Sequence, residues 1–195
     1  MKKKTFVLLL ALVLIAGAAV GGTLAWLTAT TGEVKNTFTT SNIEITLVET
    51  KGGDDREFKM IPGCTIEKDP KVTVIAGSEK CYLFVKIEKS SNFDSFMTYT
   101  VAADWTPLND TNNDGVADDG VYYRVIDTAE MGIAYSVLAD DQVTVKGEVT
   151  KAMMNELTTA TYPTLTFTAY ASQYMKNNTE FFTAAEAWEN AQPTT

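Results

Sequence analysis

The residues best placed to do chemistry are the oxygen-bearing side chains of Asp110-Thr111-Asn112-Asn113-Asp114-Gly115-Val116-Ala117-Asp118. With Asp110 in the first position of a hard-cation loop, Asn112, Asp114 and Asp118 occupy the third, fifth and ninth. Gly115 falls at the sixth position, where the loop turns sharply, and the Val116 carbonyl at the seventh. This is most of the ligand spacing of a calcium loop. The twelfth position is Val121 instead of a bidentate Glu, and Tyr122-Tyr123-Arg124-Val125 patterns as a strand, not as an exit helix; Asp119 offers an irregular replacement ligand. The same residues also make an ordinary connection between strands, because Asn, Asp and Gly form turns and tolerate positive φ. As a calcium site the loop is expected to bind with a dissociation constant on the order of 10⁻⁴ to 10⁻³ M, the extracellular range.

Cys64 follows the Pro62-Gly63 turn and Cys81 opens an apolar run, so the two are candidates to face each other on neighbouring strands. In an exported protein they form either a disulfide, worth about 3 kcal/mol for a loop of this length, or a pair of buried thiols. The chain has no His, which removes Ser-His-Asp and Cys-His catalysis, the His-based zinc sites and the imidazole pH switch. Zinc would have to rely on Cys and carboxylates alone. Among 25 acidic residues some pair always has the separation a glycosidase uses, so that abundance identifies nothing. Tyr122-Tyr123 and Phe181-Phe182 are read as packing residues rather than a carbohydrate platform. A formal net charge of −9 is a poor match for nucleic acid or an anionic membrane surface. No enzymatic site is expected.

The elements that must position these residues have a period of two. Ile43, Ile45 and Leu47 alternate with Glu44, Thr46 and Val48; Val72 and Val74 flank Thr73; Leu83, Val85 and Ile87 alternate with Phe84, Lys86 and Glu88. The pattern recurs over Thr98 to Val101, Val121 to Ile126, Val143 to Val149 and Thr164 to Tyr174, where Leu165, Phe167, Ala169 and Ala171 share a face. Gly52-Gly53-Asp54-Asp55, Pro62-Gly63, Ala76-Gly77-Ser78, Asn112 to Gly115 and Asp140-Asp141 separate the strands. Thr183 to Asn190 patterns as a helix opened by a capping box of Thr183 and Glu186, and Met153 to Leu157 as one further turn. The expectation is an all-β fold: an antiparallel two-sheet sandwich of jelly-roll type with short peripheral helices.

Lys2-Lys3-Lys4 and the apolar run Phe6 to Val20 have the form of a secretory signal helix, the run being shorter than the roughly 20 residues of a bilayer span. Thr23-Leu24-Ala25 supplies small residues for cleavage between Ala25 and Trp26. The expected organisation is a leader, 1–25, and one domain, 26–195, secreted to the cell surface or extracellular matrix, with membrane contact only during export.

The leader with Gly21-Gly22-Thr23-Leu24-Ala25-Trp26, then Asn36-Thr37-Phe38, Ile43 to Leu47, Ile61-Pro62-Gly63 and Lys68-Asp69-Pro70, resembles the TasA/camelysin (CalY) family of secreted proteins bearing a SipW-type signal peptide. Pro163 to Ala171 and Ala184 to Trp188 are similar to secreted relatives of that family. The resemblance implies a SipW-type signal peptidase as processing partner. It also implies a jelly-roll-like sandwich whose copies, or paralogues, join into biofilm-matrix fibres when one subunit donates an N-terminal strand to the next. Camelysin carries a metallopeptidase classification, for which this chain lacks the His ligands. Cys64, Cys81 and the stretch Trp105 to Gly120 depart from the family pattern. Independently of the resemblance, cleavage frees Trp26-Leu27-Thr28-Ala29-Thr30, an uncharged strand-forming terminus able to add to a partner's sheet edge or to fold onto its own. Self-assembly or surface adhesion is the first expectation, a non-polymerising, calcium-stabilised binding domain the second, and a camelysin-like metallopeptidase the third.

Overall fold

Alternation of apolar and polar side chains is what a strand needs when one face is buried, and the β-branched and aromatic residues that dominate this chain favour the extended backbone. The computed structural model describes residues 42–51 and 58–192. Strands in chain order are β1 (Ile45–Glu49), β2 (Thr65–Glu67), β3 (Pro70–Val74), β4 (Cys81–Lys89), β5 (Met97–Thr98), β6 (Thr106–Pro107), β7 (Val121–Ile126), β8 (Ala134–Ser136), β9 (Gln142–Val145) and β10 (Leu165–Gln173). Among the described residues three short α-helices accompany them, α1 (Phe93–Phe96), α2 (Lys151–Asn155) and α3 (Ala184–Ala191), with 3-10 turns at Thr128–Glu130 and Ala139–Asp141.

The strands form three antiparallel sheets, ordered β1-β3-β8, β10-β4-β7-β6 and β2-β9-β5. β4 is the centre of the second sheet. Its register with β10 runs unbroken from Cys81↔Gln173 to Lys89↔Leu165, and with β7 from Cys81↔Ile126 to Lys86↔Val121. Leu83, Val85 and Ile87 share a buried cluster with Val72 and Val74 of β3, Tyr122 and Ile126 of β7, and Tyr135 of β8. Leu165, Phe167, Ala169 and Ala171 pack against that cluster from β10, and Ile43, Ile45 and Leu47 from the first sheet, which are the faces the alternation predicts.

The other face of β4 is buried as well. Tyr82 and Phe84 form a second cluster with Val121, Tyr123, Tyr170 and Trp188, closed by Ala187 of α3. Phe84 and Trp188 rings lie 5.3 Å apart and Tyr170 meets Trp188 edge-on at 5.1 Å. α3 starts where the sequence places it: the Thr183 side chain accepts from the Glu186 N–H while Glu186 accepts from the Thr183 N–H at 2.8 Å. A third cluster, under β9, gathers Phe93, Phe96, Leu138, Val143 and Val145.

Two expected strands are shorter than their apolar patterns. β9 ends at Val145, since the Lys146 N–H turns to the Phe96 carbonyl and Val149 closes a turn onto Lys146. Of Thr98 to Val101 only Thr98 lies in a strand, β5, and Val101 bridges to Leu138. The helical turn α2 begins two residues earlier than expected, because Thr150 caps it through the Met153 N–H. Among the described residues no helix is long and apolar enough to cross a membrane.

Candidate functional site

The connection between β6 and β7 carries the Asp/Asn loop. Its ends are fixed by the Leu108 N–H donating to the Val121 carbonyl at 2.9 Å and by the Asp118 N–H donating to the Asn109 carbonyl at 2.8 Å. Inside, both carboxylate oxygens of Asp110 accept backbone amides, Oδ1 from Asp114 at 3.0 Å and Oδ2 from Gly115 at 2.9 Å. The Asp114 N–H is also within reach of Asn112 Oδ1, and Asp114 Oδ1 accepts from the Val116 N–H at 2.8 Å. Asp118 Oδ2 accepts from both the amide and the hydroxyl of Thr111, and these bonds hold its carboxyl below the usual carboxylate range. Asp119 accepts from Asn109 Nδ2 and from the Val121 N–H.

Asn113 takes φ 59° and Gly115 φ 82°, the left-handed turns that Asn and Gly make at least cost. The loop is tied to the core at its far end. The Ala117 N–H donates to the Tyr122 hydroxyl at 3.1 Å, and Gly120 lies so close to β4 that its carbonyl accepts the Ile87 N–H at 2.9 Å. Asp110, Asn112, Asp114, Val116 and Asp118 are thus brought into one exposed loop whose carboxylates are engaged with amides and hydroxyls of the loop itself. Among the described residues no three His, Cys, Asp or Glu side chains form a metal-holding group.

Cys64 and Cys81 are free thiols on different sheets, which corrects the expectation that they face each other. Cys81 opens β4, whose neighbours are β10 and β7, whereas Cys64 precedes β2 and its carbonyl accepts from Val145 of β9. Cys64 is exposed; Cys81 is fully buried, and burial pushes its thiol up to about 11. A thiol kept neutral and enclosed is no nucleophile. The cleavage residues Ala25 and Trp26 and the donor segment Trp26, Leu27, Thr28, Ala29 and Thr30 lie outside the described residues.

Two polar clusters escaped the sequence reading. Asp69, in the link from β2 to β3, is fully buried. Burial pushes its carboxyl up, but the Thr50 hydroxyl, the Lys51 N–H and the Lys71 ammonium together hold it below the usual range. Lys71 also reaches Asp141 at 3.3 Å, where Asp140 and Asp141 both take positive φ. On the second sheet, Arg124 pairs with Asp104 and its guanidinium lies 3.6 Å from the centre of the Tyr135 ring, with Trp105 on a further side at 5.6 Å. Both clusters are made of residues far apart in sequence, so spacing carries no sign of them.

The remaining feature is a sheet edge. Among the described residues β10 pairs with β4 alone. It is a nine-residue strand, Leu-Thr-Phe-Thr-Ala-Tyr-Ala-Ser-Gln, without charge or proline. A groove of about 430 Å³ lies at its end, bordered by Ile43, Ala171, Ser172, Gln173, Phe182 and Asn190. No family model, curated protein or solved structure matches the chain.

Proposed function

We propose that this is an exported structural protein of the TasA/camelysin kind, with its first two sheets stacked as a jelly-roll-like sandwich, that works by strand pairing between subunits in an extracellular matrix. The observation that carries the reading is the long, uncharged edge of β10. Natural sheets protect such edges with charge, proline, bulges or short strands, and β10 has none of these over Leu165–Gln173. Trp26 to Thr30, freed after Ala25 by a SipW-type signal peptidase, is the donor strand in this reading, and copies or paralogues are its partners. The function is mechanical and needs no cofactor or active site. Deleting residues 26–32 and following assembly by electron microscopy and sedimentation tests it: fibres are lost on deletion, and fibres that persist unchanged refute the donor role.

The Asp/Asn loop favours a second reading, a calcium-stabilised surface binding domain. Asp110 gathers the amides of Asp114 and Gly115 in the way a loop wrapped around a hard cation does, and its oxygens keep further lone pairs for the ion. Monomeric protein that stays monomeric at high concentration and melts higher with calcium than with chelator supports this reading over the first.

A further inference from the structure

We propose that the edge of β10 with which no described residue pairs is covered by β10 of a second copy, running antiparallel about a two-fold axis at Ala169. The direction of the backbone groups follows from the hydrogen bonds at the ends of the sheet. Ser90 donates to the Thr164 carbonyl at 3.0 Å and Tyr174 donates to the Lys80 carbonyl at 3.3 Å, while Ile87 donates the other way, to Gly120 beside β7. Alternation along an antiparallel ladder then turns Tyr82, Phe84, Lys86 and Glu88 towards β10, where they face Ser172, Tyr170, Thr168 and Thr166. Leu165, Phe167, Ala169, Ala171 and Gln173 are left with their N–H and C=O groups directed to the outer edge. No described residue pairs with them.

The sequence of the strand is complementary to itself in that register. Ala169 meets its own copy, Phe167 meets Ala171, and Leu165 meets Gln173, so on the core-facing side the one aromatic ring lies opposite a methyl group and the centre of the pair is small. On the outer face Thr168 meets Tyr170 and Thr166 meets Ser172, an aromatic-to-β-branched pair and a hydroxyl pair of the kinds that stabilise adjacent strands. A two-fold contact places identical surfaces together, and a chain of net charge −9 repels its copies wherever acidic groups meet. β10 presents no charge to itself. Such a contact closes on itself and yields a dimer. It rests on the self-association reading but assigns the β10 edge to a second β10 instead of to Trp26–Thr30, so a donor segment extends dimers into a fibre only by entering at another sheet border.

The test uses full-length protein carrying Cys64→Ser, so that the buried Cys81 is the only other thiol. An added Ala169→Cys places two thiols on the dimer axis in a hydrogen-bonded pair with Cα atoms about 5.5 Å apart, within disulfide range. A covalent dimer forms on mild oxidation, whereas Thr166→Cys, which faces Ser172 of the other copy instead of itself, gives none. Ala169→Pro removes an N–H directed to the edge and spares the β4 ladder, so it abolishes the dimer in sedimentation while the circular dichroism is kept. Equal cross-linking at 166 and 169, or wild-type protein that remains monomeric at millimolar concentration, overturns the proposal. Fibres that persist when residues 26–32 are deleted, with the dimer intact, refute the donor-strand reading and leave this one standing.

Discussion

Gly120→Ala measures how tightly the Asp/Asn loop is clamped to the central strand. Gly120 takes φ 72°, and a Cβ built there comes 2.3 Å from the Ile87 carbonyl oxygen, a backbone atom that cannot swing away. The left-handed conformation alone costs an alanine roughly 1–2 kcal/mol. Relief of the clash requires the loop to withdraw from β4, which breaks the Ile87 N–H to Gly120 carbonyl bond, worth about 1 kcal/mol and more when its donor is left buried. The expected sum is about 3 kcal/mol, or a fall in Tm of about 6–12 °C for a domain of this size. Gly115→Ala is the internal control: its φ is 82°, but nothing lies within 4 Å of the added carbon, so only the conformational part of roughly 1–2 kcal/mol remains, a fall of about 2–8 °C. Thermal unfolding followed by circular dichroism reads both. Equal shifts for the two variants would show that the approach of the loop to Ile87 contributes nothing, and the clamp would have to be abandoned.

Other consequences can be checked with the same protein. Thiol titration with an aromatic disulfide reagent is expected to modify Cys64 alone in the native state and Cys81 only on unfolding; rapid native reaction at both would contradict the burial of β4. Phe84→Ala removes a fully buried ring from the contact with Trp188 and should cost about 3–5 kcal/mol, with a correspondingly lower urea midpoint. Arg124→Lys keeps the charge but loses the flat stack on Tyr135; a loss of about 1 kcal/mol is expected, and an unchanged midpoint would mean the stack is energetically idle. Asp69, Asp118, Asp127 and Glu186 all have carboxyls held below their ordinary values, Glu186 at about 2 through its bonds to Lys176 and Thr183. Depressed carboxyls stabilise the fold fully above their unfolded pKa values, near 4, and the contribution is lost as pH falls through the folded ones. Stability should therefore be flat above about pH 5 and decline towards pH 2, and Glu186→Gln should make the acid limb shallower; a steeper limb in the variant would reverse the sign of the argument.

What could be read from the sequence is what depends on neighbours along the chain. Val121–Ile126 and Leu165–Gln173 follow directly from alternation, and the Thr183–Glu186 box sets the start of α3 because both partners lie within one turn. Alternation also names the inward set Leu83, Val85 and Ile87, but it treats Tyr82 and Phe84 as the outer face. Only the return of α3, a hundred residues later, shows that β4 is enclosed on both sides. Cys64 and Cys81 fail for the same reason: which strands become neighbours is a property of the whole topology, and no spacing between two cysteines encodes it. The Asp/Asn loop is opaque for a different reason, since the atoms that would hold a cation are the ones that make the loop turn, and Asp110 and Asp114 do the second whether or not they do the first.

The edge of β10 combines both difficulties. Its lack of charge is plain in the sequence, yet an uncharged strand is unremarked in the middle of a sheet and consequential only at a border. Topology places β10 at that border, and the alternation of its backbone groups decides which residues face outward. Once those two facts are joined, the small side chain of Ala169 at the centre and the matched pairs on either side acquire a meaning that neither the composition nor the fold has alone. A lysine at Thr168 would be nearly neutral for the monomer, whose side chain there is only half-buried, and would set two charges near the axis of the pair. Thr168→Lys should therefore separate the copies without unfolding either, and a variant that dimerises as well as the parent chain would show that the two strands do not meet.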